Sequence, residues 1–423
     1  MNSRIISTTI LFLLMWQPML AATPEDLTLN WRQCQERALL SNPSLAGARY
    51  TLDSARYSIA ASKNQDLPYP SLSASHAFSR TGTGGSTGSD MFSTNVNASE
   101  TLFSIKSYAD LKTQLRIAEK ANLDLRTTLA DTRKSLLSSF INLLYAQGRI
   151  HVMENILTIR SRSAEMINLQ YNSGKESDGN RLRTEAQLAQ AEADLTQAKL
   201  DQKTAQRSLA ADLGMDRFIP MAASGTLTVP SMVSGIDIDE ASLAIPGVLA
   251  SKKSADLAEA KLMLAGADLY PTLSANQGLG WNDSEEFSGS RSWSLGFSMS
   301  WPIFSNGPSY LFNSRASSRS LFMKAQADYR AALLSARSSL QSATASLETA
   351  IANVHTASLL LEAARQRHEE AEIQYLAGSL NFQNWQDVEQ ELVSAEQTYL
   401  TSLKSVNTAR AQVDNLLGIP LGD

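Results

Sequence analysis

A single cysteine, Cys34, stands in 423 residues. That excludes a disulfide within one chain and any cysteine-based zinc site. Cys34 is expected as a small apolar side chain in the first helix. Charge of one sign is also missing: 37 basic residues face 42 acidic ones, a formal charge of -5. No nucleic-acid footprint is present, so nucleic acid is not an expected partner. The four histidines, His76, His151, His355 and His368, lack metal-ligand spacing. His368-Glu369-Glu370 has no second histidine to make a zinc-protease helix. The glycine-rich run Gly82 to Gly88 lacks the Lys-Ser/Thr ending of a phosphate loop. No Ser/His/Asp spacing emerges, so neither catalysis nor a cofactor or metal is predicted. Long apolar runs are absent after the N-terminus, where a spanning helix would need about 20 such residues. The one early run, Ile5 to Leu20, follows Arg4 and precedes Ala21 and Ala22. Residues 1–22 therefore read as a secretory signal peptide. No cysteine sits at the cleavage point to carry a lipid. The exported chain is expected to be soluble outside the inner membrane or to cross a membrane as strands.

What the sequence does have is helical length. Tyr310 to Ala377 contains no Gly and no Pro. Leu333, Leu340, Leu347, Val354 and Leu361 recur every seven residues. Ala336, Ala343, Ala350, Ala357, Ala364 and Ala371 form a second series three positions later. This is an a/d seam kept for five heptads, the pattern of a supercoiled helix. Nearly seventy residues would reach roughly 100 Å.

The programme runs twice. Asn42-Pro43 and Ile245-Pro246 each open a helix, the first preceded by a short helix over Leu27 to Leu40. Tyr69-Pro70-Ser71-Leu72-Ser73-Ala74 matches Tyr270-Pro271-Thr272-Leu273-Ser274-Ala275. Leu102-Phe103-Ser104 matches Ile303-Phe304-Ser305. Tyr171-Asn172-Ser173-Gly174 matches Tyr375-Leu376-Ala377-Gly378, and Leu213-Gly214 matches Leu417-Gly418. The offset stays near 200 residues, which marks one duplicated unit. The first unit is expected over 23–215, with a hairpin over 70–103, a long helix over 104–171 and a helix over 180–213. The second is expected over 245–423, with a hairpin over 271–304, a long helix over 309–377 and a helix over 382–417. Residues 216–244 link the two, with a short strand or helix possible there.

The strands set the environment. Trp293, Leu295, Phe297, Met299 and Trp301 alternate with Ser292, Ser294, Gly296, Ser298 and Ser300. Leu273, Ala275, Leu279 and Trp281 oppose Ser274, Asn276, Gly278 and Gly280. Phe92, Thr94, Val96 and Ala98 oppose Ser93, Asn95, Asn97 and Ser99. An aromatic face with terminal Trp suits lipid, and a small uncharged face suits a water-filled lumen. Four strands cannot close a barrel, and hydrocarbon does not tolerate open edges. Three copies would supply twelve strands, an even number within the observed range.

These features, in this order and twice over, resemble the TolC-type outer-membrane efflux and secretion channels. The resemblance covers essentially the whole mature chain. It implies a mostly α fold with a shared membrane β-barrel: a homotrimer with a twelve-stranded barrel in outer-membrane lipid and a long periplasmic α-helical tunnel. It further implies docking with a periplasmic adaptor and an inner-membrane transporter of the RND or ABC type, and a gate at the helical tips. In the family a Tyr-x-x-Gly-Leu turn forms each tip. Here Tyr171 and Gly174, and Tyr375 and Gly378, hold the pattern, while Lys175 and Ser379 replace the Leu. Asn180 and Asn384 stand where the family commonly has Asp. Asp387 is expected either as part of a threefold acidic ring at the entrance or as a solvated first-turn residue. Tyr375 reads as a gating tyrosine or as a packed cap of its turn. The function implied is passive conduction in a tripartite efflux pump or type I secretion system. A pore-free periplasmic scaffold or adaptor is the alternative, and no lipoyl-like domain supports an adaptor. The cargo is not legible, because the inner-membrane partner chooses it.

Overall fold

A computed structural model describes residues 27–66, 71–81, 89–231, 237–285, 290–302 and 307–422. The expected signal peptide, Tyr69-Pro70, the glycine-rich loop at 82–88, part of the linker and Ile303-Phe304-Ser305 lie outside them.

The chain opens with strand β1 (Leu27–Leu29), helix α1 (Trp31–Ser41) and helix α2 (Pro43–Asp66). The helix expected over Leu27 to Leu40 is corrected at its start. Asn30 caps α1, its side chain accepting from the Gln33 N–H while Gln33 returns a bond to the Asn30 N–H. That reciprocal box fixes the helix start and leaves Leu27–Leu29 to pair, in parallel, with β4 (Met221–Ala223) from the linker. Asn42 then ends α1 and caps α2, accepting from the Ser44 and Leu45 N–H groups.

Next come strands β2 (Ser71–Thr81) and β3 (Ser89–Phe103), the 68-residue helix α3 (Ile105–Asn172) and helix α4 (Asp178–Asp212). The linker also forms α5 (Ile238–Ala244). The same order returns as α6 (Pro246–Ala265), β5 (Thr272–Asp283), β6 (Ser290–Ser300), the 69-residue helix α7 (Pro308–Leu376) and α8 (Phe382–Leu416). At about 1.5 Å per residue, α3 and α7 each approach 100 Å. Among the described residues no helix is long and apolar enough to cross a membrane.

The seam read from the sequence is the packing surface. Leu340, Ala343, Leu347 and Val354 of α7 are buried with Leu403, Val406 and Val413 of α8. Leu361 and Ala364 continue it against Leu392. In the first half, Leu136, Phe140 and Leu143 of α3 join Cys34, Leu45, Leu209 and Met221 in the largest cluster. Each half ends the same way. Gly214 (φ 71°) brings its backbone so close to Ser41 that a Cβ would lie 2.3 Å from the Ser41 carbonyl oxygen. Gly418 (φ 72°) approaches the Pro246 ring equally closely. Only glycine accepts both the left-handed φ and that proximity, so each medium helix returns to where its own repeat began.

Candidate functional site

Two places concentrate the chemistry: the sheet at one end of the long helices and the turns at the other. The sheet has the order β2-β3-β5-β6, antiparallel throughout. Register puts Leu279 opposite Trp293, Ala275 opposite Phe297 and Leu273 opposite Met299. Val96 faces Leu279, and Phe78 faces Phe92. One face of the four strands is thus mainly apolar, interrupted by His76, Thr94, Glu100 and Gln277, and on it Trp293 is 75% and Phe297 71% exposed. Such a contiguous exposed patch marks a surface that meets something other than water. Strand β6 ends at Ser300; Trp301 follows it and donates its indole N–H to the Leu269 carbonyl at 3.0 Å.

The opposite face is built from Ser, Asn and Gly. Ser99 Oγ donates to Asn276 Oδ1, and Asn276 Nδ2 donates to Ser298 Oγ, both at 2.8 Å. A Cβ at Gly280 would lie 2.9 Å from both Asn95 Oδ1 and Ser292 Oγ. One at Gly278 would lie 2.9 Å from Ser294 Oγ. The glycines let neighbouring amides and hydroxyls lie flat across β5.

At the far end, both long helices stop in the same turn. Gly174 (φ 76°) donates to the Tyr171 carbonyl and Lys175 N–H to the Gln170 carbonyl. Gly378 (φ 73°) donates to the Tyr375 carbonyl and Ser379 N–H to the Gln374 carbonyl. These are paired Schellman loops. Their closing bonds come from the backbone, so Lys175 and Ser379 serve as well as Leu. Ser177 then caps α4, accepting from the Asn180 N–H, and Asn381 caps α8, accepting from the Asn384 N–H at 2.8 Å. The expected start of the first medium helix therefore moves from 180 back to Asp178.

The two tyrosines diverge. Tyr375 is buried, its ring stacked on Trp385 at 4.9 Å and 12°. Its hydroxyl donates to Glu176 Oε1 at 2.7 Å and is shared with Gln170 Oε1 at 2.9 Å. The second tip is thereby tied to the first. Burial, then the Glu176 carboxylate, push the phenol's pKa well above its ordinary value, so it stays a neutral donor. Burial raises the Glu176 carboxyl, but hydrogen bonds from Tyr375, Asn180 and the Ser177 N–H together bring it below the usual range. Tyr171 is partly exposed, under the Arg181 guanidinium at 5.3 Å. Arg181 pairs with Asp178 and Glu185. Asp387 accepts from Gln383 at 2.8 Å on an exposed helix face. It lines a groove with Arg367, Glu370, Asn384 and Glu391.

One constellation escaped the sequence reading. Arg160 of α3 and Glu389 of α8 form a buried pair at 3.0 Å, their side chains 6% and 0% exposed. Gln390 and Gln187 accept from the same guanidinium, and Ser163 Oγ donates to Glu389 Oε1. Gln187 and Gln386 exchange bonds beside it. A signal was present: Trp385, Glu389, Leu392, Glu396, Tyr399 and Leu403 keep heptad spacing, with Glu at seam positions.

Comparison with known proteins agrees with this geometry. The chain is 25% identical over 306 residues to the cobalt-zinc-cadmium resistance protein CzcC of Cupriavidus metallidurans, covering 72% of this chain and 71% of that one. The solved outer-membrane channel OprN superposes with a TM-score of 0.82 at 22% identity, covering 91% of this chain and 89% of its own. The Campylobacter jejuni outer-membrane channel CmeC gives 0.82 at 17% identity, covering 100% and 95%. The family model described as outer membrane efflux protein matches residues 35–215 and again 238–419, one match to each half, and the chain belongs to that family.

Proposed function

We propose that three copies of this chain close one twelve-stranded barrel and one helical tunnel, the passive exit duct of a tripartite efflux pump or type I secretion system. Family membership puts the chain in the outer membrane as an efflux channel. The observation that carries the trimer is the open sheet. Among the described residues β2 and β6 have no outer neighbour in it, its mainly apolar face is exposed, and lipid does not tolerate unpaired edges. A pore-free scaffold would have no use for such a sheet. Trp293, Leu295, Phe297 and Met299 face lipid, with Trp301 near the interfacial girdle, while the Ser/Asn/Gly face lines the lumen.

The tips form the gate. Tyr375, Gln170 and Glu176 hold the second tip against the first, and opening swings the inner segments, Tyr375 to Trp385 and Gln170 to Arg181, outward. The adaptor engages around Lys175 and Ser379, and the inner-membrane transporter supplies energy and chooses cargo. Asp387, repeated threefold, offers cations an acidic entrance. Conductance of purified protein in planar bilayers tests the reading. A detergent-extracted trimer that stays silent even with Tyr375 replaced would defeat it. Growth of a deletion strain on cobalt, zinc and cadmium salts, against growth on organic drugs, assigns the cargo.

A further inference from the structure

Trp385 and Glu389 lie one helical turn apart on α8, at the i, i+4 spacing that makes side chains neighbours. Trp385 is 1% exposed and Glu389 0%. Among the described residues, Trp385 Nε1 and Glu389 Oε2 are both buried without a hydrogen-bond partner. One is a donor and the other an acceptor, and each unmet group is costly. Two facts keep them apart. Tyr375 lies flat on the Trp385 ring, and Phe382 packs tilted against it, ring centroids 6.0 Å apart. Glu389 Oε1 is already spent on Arg160 and Ser163, which fixes the carboxylate and leaves Oε2 as its open side. Breaking the Arg160–Glu389 pair would strand two buried charges. Parting Tyr375 from Glu176 releases a half-buried hydroxyl to water. The segment from Tyr375 to Trp385, between Glu389 and the tip, is therefore the one that yields.

We propose that Arg160–Glu389 is the fixed pivot of the gate, and that Trp385 turns to donate its Nε1–H to Glu389 Oε2 once Tyr375 leaves its face. This rests on the gate described above and adds what holds the open arrangement in place. The closed form spends Trp385 on stacking, and the open form spends it on a charged acceptor. Trp385 and Glu389 are positioning residues that touch no cargo.

Single-channel recording tests it in the full-length trimer, with Tyr375→Phe as the open-biased background. Adding Trp385→Phe keeps an aromatic ring against position 375 and removes the donor together with some ring volume. It should shorten the mean open time about tenfold, the factor set by one hydrogen bond to a charged group, while the lost ring volume lowers the melting temperature alike with and without Glu389. In a chain that also carries Arg160→Met and Glu389→Met, which removes the pair without stranding a charge, Trp385→Phe should have no further effect on the open time. Equal shortening with and without Glu389, or none at all, overturns the proposal. Should the paired substitution prevent folding, the open time of the Trp385→Phe channel decides alone. If Tyr375→Phe fails to raise the open probability, the gate reading falls first, and this one with it.

Discussion

The two helical tips are the same turn built twice, 204 positions apart, and they are put to opposite uses. Tyr171 corresponds to Tyr375, Arg181 to Trp385 and Glu185 to Glu389. In the first tip the tyrosine lies under a guanidinium that is itself paired with acids, all near water. In the second the tyrosine stacks on an indole, and the acid one turn further is buried against Arg160. The same two backbone bonds close both loops, and the second adds one from the Leu380 N–H to the Gln374 carbonyl. The backbone turn is the same in both, and side-chain choice leaves one tip solvated and the other dry. Exposed ion pairs are worth little and yield to salt, whereas a buried pair resists removal of either partner.

The sharpest way to break this comparison is to remove the corresponding acids. Glu389→Ala leaves Arg160 buried and unpaired and should cost about 3–5 kcal/mol, read from chemical denaturation. Glu185→Ala at the matching position should change stability by less than about 0.5 kcal/mol. Equal losses would mean that the two tips are energetically alike. The tyrosine hydroxyls come next. Tyr375→Phe removes a bond to a charged acceptor and should raise the open-to-closed ratio about 10- to 100-fold, seen as conductance, while Tyr171→Phe should leave it unchanged.

Acid sharpens the same contrast. The Glu176 carboxyl is held below its ordinary value, so its contribution is complete above the usual glutamate range near pH 4.3 and fades as pH falls through the lowered folded-state value. Channel opening should therefore increase on acidification below about pH 4, and Glu176→Gln should remove that dependence. The smallest contrast lies in the turns. Gly174→Ala and Gly378→Ala each force a left-handed residue, with open space around the new methyl. Each should cost about 1–2 kcal/mol of local stability, and by the same amount, because here the copies have not diverged. Amide exchange at the two turns measures this.

The long helices, the hairpins and the duplicated order were legible because each rests on a period: seven for α7, two for β6, about 200 for the repeat. The strand at Leu27–Leu29 was not, because its partner lies in the linker almost 200 residues away and three residues carry no period. Tyr375, Gly378 and Ser379 were found as a turn, but a turn motif says nothing of what lies across from it. That Tyr375 reaches Glu176 depends on how α8 packs against α3. Arg160 and Glu389 hid for a related reason. A charged residue reads as solvent-facing until its place in the seam is counted.

In the proposed trimer, the outer positions of β2 and β6 in the described sheet dictate an order of events for the cell. A solitary copy entering lipid would carry two rows of dry, unbonded amides into it, each costing several kcal/mol. On the trimeric reading proposed above, newly exported chains have to find one another before any of them enters the bilayer, so assembly precedes insertion.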